Sequence, residues 1–391
     1  DEGNIFALVE VDKTDKKFLE GCRKLAAKRK LFSIVEPNRA VKICSWPSDG
    51  QPNDPDLQQQ PQIFLHDAIY GHHILANHGV NLTGGGQSGV TIGSIDTGVE
   101  SLENSGSDGF AATDFFSSQV LQGFNPATKG TTSFPFGNKD ADISGQDTDP
   151  SLSGHGTFGA EIMAAATNNS YNGAGMLPGA KIDPVCVGTD KAGVPSGDSV
   201  STFSVISGIQ FLQKQKIVRF INISINGAPP FTFNTDQAYM QAASNFYHVR
   251  NGLVFNSAGN DFLEDPSQPY PTNIVVSAVD ATGNLAAFSN YGHAVQLTGL
   301  GVDDGSTNAE GAFVMSSGTS FSCPSVTGIA AAIAAANPKL SNAQILSILF
   351  HNSIQGNPGG GIALGVPVGT NQFGYGYPNE GYCVRAVFAK H

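Results

Sequence analysis

Gly318-Thr319-Ser320-Phe321-Ser322-Cys323-Pro324 runs through Ser325 into Val326-Thr327-Gly328-Ile329-Ala330-Ala331-Ala332-Ile333-Ala334-Ala335-Ala336. Alanine is the strongest helix former, and a run this apolar has no polar face to offer water. The stretch therefore predicts a helix buried at the centre of a core. Pro324 suits a first helical turn, where its missing N–H has no intrahelical partner. Ser320 then lies at the helix N-terminus, where first-turn N–H groups and the helix dipole favour developing negative charge.

Two segments further back carry complementary groups. Val90 to Ile95 is an apolar strand ending in Asp96-Thr97-Gly98, and Gly154-His155-Gly156-Thr157 opens a second small-residue stretch, Phe158 to Ala166. A hydroxyl is a poor nucleophile at neutral pH; an imidazole that takes its proton, held in one tautomer by a buried carboxylate, makes it useful. Read alone, Asp96-Thr97-Gly98 also fits an aspartic half-site or a strand running into a turn. An aspartic dyad needs a second Asp-Thr/Ser-Gly, which the chain lacks. His155 alone fits a loop or helix-cap residue, and Ser320 alone fits a helix N-cap.

Together, in the order Asp, His, Ser, these segments resemble the subtilisin-like serine proteases, from about residue 81 to the C-terminus. The resemblance implies catalytic roles for Asp96, His155 and Ser320. Leu253-Val254-Phe255-Asn256-Ser257-Ala258-Gly259-Asn260 is similar to the family segment carrying the oxyanion-hole asparagine, which implies that role for Asn260. The end of Phe220-Ile221-Asn222-Ile223-Ser224-Ile225-Asn226-Gly227 is similar to the wall of the primary specificity pocket, at Ser224, Ile225 and Asn226. Val194-Pro195-Ser196-Gly197-Asp198 is similar to the segment that pairs with substrate as an added strand, around Ser196 and Gly197. Where this chain has Asn226 the family usually has glycine. Bland readings of these two stretches are a core strand end and a solvated loop. Asp265 follows in a stretch that contributes the pocket floor in relatives. A carboxylate facing the pocket would select Lys or Arg; facing solvent, it leaves an apolar slot between Ile225 and Ala258 suited to Phe, Leu or Tyr. The second is the expectation here, because acidic residues lie mostly on surfaces.

From Gly89 onward apolar strands alternate with helices: 90–95, a helix after His155, 181–187, a helix over 199–214, 217–225, a helix over 236–250, 253–256, 274–279 and a helix over 342–350. This predicts an α/β fold, a parallel β-sheet sandwiched between helices. Residues 1–45 hold ten Lys/Arg against seven Asp/Glu, whereas the whole chain holds 21 against 33. This basic segment reads strand–helix–strand, a small α+β unit. Its end resembles the inhibitory propeptide of the family, in a shortened version, and the alternative is a plain N-terminal extension. Residues 46–63, polar and Pro-rich, read as a linker, and 64–391 as the catalytic domain.

Residues 101–153 read as a surface insertion rich in Gly, Ser and Asp. Asp140, Asp142, Asp147 and Asp149 lie in it; oxygen-rich loops bind Ca²⁺, so a structural calcium ion is set beside a solvated acidic loop. No cofactor or catalytic metal is expected. The acidic balance, with no stacking aromatics beside Lys28-Arg29-Lys30, excludes nucleic acid as a partner. The apolar run containing Thr327 and Gly328 stops at Asn337-Pro338, too short to span a bilayer. The expected partners are a protein or peptide substrate and the N-terminal segment as an intramolecular inhibitor. Secretion is expected, with any leader outside this chain. Five cysteines leave at least one free in a monomer; Cys323 is expected to be a packed thiol, and a Cys44–Cys383 bridge is left open. Asn81-Leu82-Thr83 and Asn168-Asn169-Ser170 match glycosylation acceptors, as does Asn222-Ile223-Ser224, which a buried strand would hide. A locked zymogen, a binding relative and a peptide ligase on the same fold remain as alternatives to an active protease.

Overall fold

Six parallel strands form the sheet: β1 (Thr91–Asp96), β2 (Lys181–Cys186), β3 (Val218–Ile223), β4 (Leu253–Ser257), β5 (Ile274–Val279) and β6 (Val295–Leu300), in spatial order 2-1-3-4-5-6. The computed structural model describes residues 52–83, 87–100, 114–116, 119–121, 123–126, 154–187, 200–355 and 373–389. The chain divides into two compact units, Asp1–Gln51 and Pro52–His391. The basic strand–helix–strand segment, Ser196 and Gly197, and the four aspartates at 140–149 lie outside the described residues.

Period-2 alternation sends successive strand residues to opposite faces. On one face Ile92, Ile182, Phe220, Phe255, Val276 and Leu297 pack with Val326, Ile329 and Ile333 of the helix Thr319–Ala336. On the other, Ile95, Val185, Ile221, Ile223 and Val254 pack beneath the helices Thr202–Lys214 and Gln237–Arg250. Both faces being covered, the strands read as near-continuous apolar runs. Helix starts follow their caps. Ser201 accepts the Ser204 N–H at 3.2 Å, which moves the start expected near Ser199 to Thr202, and Asp236 accepts the Tyr239 N–H at 2.9 Å.

The helix Thr319–Ala336 is 18 residues long with mean hydropathy 1.3, so by length and composition it could cross a membrane, contrary to the expectation above. The difference arises at its start: it begins at Thr319 and absorbs Pro324 in its second turn. With 83% of it buried inside the protein, it is the core helix.

Three further stretches depart from the sequence reading. Within the expected linker, Leu57, Gln60, Gln62 and Ile63 are buried, and a short helix, Pro61–Leu65, leads into another, Ala68–Asn77. Gln60 and Gln62 donate to the Gly305 carbonyl, Gln60 at 3.1 Å, so polar side chains anchor this segment. In the 101–153 stretch, the described residues 119–121 and 123–124 run along the outer edge of β2. The Leu121 N–H donates to Ile182 O at 2.7 Å and the Phe124 N–H to Pro184 O at 2.9 Å. This occupies edge groups that would otherwise be open to pairing. Cys383 is a free buried thiol, not half of a bridge; Cys323 is likewise free and buried, and burial pushes its thiol far up.

Candidate active site

In this sheet order the chain leaves β1 for β2 on one side and crosses to β3 on the other, so β1 marks the switch point. Ligands in open α/β sheets bind in the crevice beyond the carboxyl ends of the strands at such a point. Asp96, the last residue of β1, is 1% exposed. Its Oδ1 accepts from the Thr97 N–H and from His155 Nδ1, each at 2.7 Å. An ionised carboxylate has no proton to give, so Nδ1 carries the hydrogen and Nε2 is left with its lone pair.

His155 opens the helix His155–Ala164, and its neighbours explain how that helix reaches the turn after β1. The Gly156 N–H donates to Thr97 Oγ1 at 2.9 Å, and a Cβ on Gly156 would lie 2.1 Å from Gly98 O. Only a residue without a side chain lets the two backbones approach this closely. The imidazole also packs against Phe321, ring centroids 5.3 Å apart, and Phe321 meets Phe158 at 4.6 Å. That aromatic contact ties the His155 helix to the N-terminus of the central helix beside Ser320.

Ser320 is the second residue of the central helix and 9% exposed. Its hydroxyl donates to Ser224 O at 3.2 Å, and Ser224 Oγ returns a bond to Ser320 O at 2.8 Å. At the end of β4, Gly259 adopts φ +102°, and a Cβ there would lie 2.4 Å from Asn290 Nδ2. The next residue, Asn260, is exposed, and its Oδ1 accepts from both the N–H and the hydroxyl of Thr319, each at 2.9 Å.

The structure thus gathers Asp96, His155, Ser320, Asn260 and Ser224 at the carboxyl edge of the sheet. Ile225 lies alongside, half-buried, its carbonyl accepting from Asn256 Nδ2 at 2.8 Å. Thr319, Phe321 and Asn256 were not singled out from sequence. Thr319 and Phe321 flank Ser320 in the quoted motif, which was the available signal. Asp265 departs from its expected surface position: it is 6% exposed, and its Oδ1 accepts the Ser267 N–H at 2.9 Å, closing its own turn. A local backbone donor satisfies the carboxylate without a substrate cation. Among the described residues no group of three or more His, Cys, Asp or Glu is arranged to hold a metal ion.

The Subtilase family model matches residues 87–376. M-protease of Shouchella clausii is 32% identical over 205 residues, which is 52% of this chain and 50% of that protein. The Extracellular basic protease of Dichelobacter nodosus is 30% identical over 314 residues, 73% of this chain and 49% of that protein. The chain therefore spans about half the length of both. Among solved structures, a protease of Pseudoalteromonas arctica superposes with a TM-score of 0.62 at 20% identity, covering 86% of this chain and all of that one. That likeness is one of fold. The sequence match, by contrast, runs across all five residues gathered at the carboxyl edge of the sheet and extends well past half of the 391 residues: the chain belongs to the subtilase family.

Proposed function

We propose that the chain is a serine endopeptidase that hydrolyses peptide bonds of proteins through an acyl-enzyme. The observation that carries this reading is the 2.7 Å bond from His155 Nδ1 to buried Asp96, which orients the imidazole beside the helix end bearing Ser320. Ser320 Oγ attacks the substrate carbonyl carbon as its proton passes to His155 Nε2. Asp96 stabilises the imidazolium that results. The carbonyl oxygen, now an anion, receives hydrogen bonds from Asn260 Nδ2 and the first-turn N–H of Ser320. Collapse of the intermediate expels the amine, which takes the proton back from Nε2, and water then hydrolyses the ester by the same steps reversed. Hydrolysis of casein, together with labelling of Ser320 by a fluorophosphonate, tests the reading. Both are expected in the wild type and both are expected to vanish in Ser320→Ala. Wild-type turnover in that variant would overturn the assignment.

The site of action in this reading is outside the cell, supported by the extracellular relative named above. In the same reading residues 1–45 act as an intramolecular inhibitor, their ten Lys/Arg against seven Asp/Glu complementing in charge the acidic remainder of the chain. A peptide of residues 1–45 is expected to inhibit chains starting at Pro52, more weakly at high salt because screening shortens the reach of exposed charges. Lack of inhibition at micromolar peptide would make the segment a plain extension.

A further inference from the structure

We propose that Asn226 is a specificity-determining residue that limits the substrate residue before the scissile bond to glycine, alanine or serine; the proposal rests on the peptidase reading above. The last paired residues of β3 and β4 are Ile223 and Asn256. Beyond them both chains continue to the central helix: Ser224 bonds Ser320, and the Gly259 N–H donates to Thr319 Oγ1 at 3.1 Å. The gap between 224–227 and 258–260, two segments that each bond to the start of the central helix, is thereby placed beside Ser320. A peptide whose carbonyl carbon meets Ser320 Oγ, with its oxygen on the Asn260 amide, carries its side chain one bond away. That side chain must enter this gap.

The gap is braced from wall to wall. Asn226 Nδ2 reaches across to Ala258 O at 3.1 Å, while its Oδ1 accepts the N–H groups of Gly227 at 2.9 Å and Phe233 at 3.3 Å. Asn290 Nδ2 meets the same Ala258 carbonyl at 3.0 Å. Both ends of the carboxamide are thus engaged, and the group bridges to Ala258 across the gap that an apolar slot would need. A Phe, Leu or Tyr side chain can enter only by displacing a satisfied amide and stranding its partners. Glycine at this position would leave the gap clear.

Matched peptide substrates carrying Ala or Phe before the scissile bond test this. Wild type is expected to cleave the Ala peptide with kcat/KM at least about tenfold higher, within the range that pocket fit alone provides. Asn226→Gly is expected to raise the Phe/Ala ratio at least about tenfold, with Asn226→Ala intermediate. Wild-type preference for Phe would overturn the proposal. So would a variant that labels fully with a fluorophosphonate yet keeps its ratio within about twofold of wild type. If Asn226→Gly does not fold, the wild-type ratio and Asn226→Ala decide. A wild type that neither labels nor cleaves any peptide would bring down the peptidase reading and this inference with it.

Discussion

Thr319 holds the side-chain oxygen of Asn260 with two donors, its N–H and its hydroxyl, each 2.9 Å away. The carboxamide cannot flip without losing both bonds, so its NH₂ is turned away from Thr319. The orientation of the Asn260 amide is therefore set by the residue just before Ser320, on the same helix.

Asn260→Ala is expected to lower turnover by a factor on the order of 10²–10³, the general cost of one such donor, a figure that comes from a subtilisin. Thr319→Val removes one of the two bonds and should lower kcat by a smaller factor with KM little changed. Steady-state kinetics on one peptide check both. Unchanged kcat in Asn260→Ala would place the anion elsewhere.

Asp96→Asn keeps the shape of the side chain but presents an amide to Nδ1, favouring the wrong imidazole tautomer. A loss on the order of 10⁴ in kcat is expected, with the fold preserved by circular dichroism. A loss below about tenfold would mean that the 2.7 Å bond has no part in the chemistry.

His66 is buried, with Nδ1 donating to Pro378 O at 2.7 Å and Nε2 accepting the Leu300 N–H at 3.2 Å. A second ring proton would face that N–H, and burial pushes the imidazole down from 6.5 to about 4. The folded protein favours the neutral ring, so this stability is present above pH 6.5 and drains away as pH falls toward 4. Chemical denaturation should show up to about 1.4 kcal/mol lost per pH unit from this group, a slope absent in His66→Gln. An identical slope in the variant would contradict the account.

Asp183 on β2 is 2% exposed, and its Oδ1 has no hydrogen-bond partner. Burial raises its carboxyl from 3.8 to about 7, so the folded state keeps a proton that the unfolded chain has released. Its contribution to stability accordingly falls as pH rises from 3.8 to 7 and stays low above that. Asp183→Asn should stabilise the protein at pH 8, by on the order of 2 kcal/mol, and gain little at pH 3.5. Equal gains at both pH values would rule out ionisation as the cause.

The elements legible in sequence are those whose apolar residues and caps declare themselves. Ile274–Val279 matches its expected bounds, and the helix after Asp236 starts where its cap places it. β6 went unread because Gln296 and Thr298 interrupt it like a surface strand, although both are buried. Gln296 is satisfied by the Val275 N–H at 3.2 Å and by Tyr270 O at 3.1 Å. The helices over 61–77 were hidden similarly: Gln62, His66 and His72 look exposed, yet their partners are backbone groups of Gly305, Pro378 and Met176. Short-range pattern cannot reveal a partner more than a hundred residues away. At the site, residue identities were readable because each sits in a tight small-residue context. The buried turn of Asp265 and the cross-brace of Asn226 depend on loop conformations that no periodicity encodes.

Residues 96, 155, 260 and 320 meet only where the carboxyl edge of the sheet is joined to the N-terminal end of the central helix. Contacts of such sequence separation are entropically expensive to close and form slowly. A chain still emerging from the ribosome has Asp96 and His155 long before Ser320, and Phe321 meets His155 only once the central helix is in place. In the peptidase reading, activity therefore arrives last, as a property of the finished molecule.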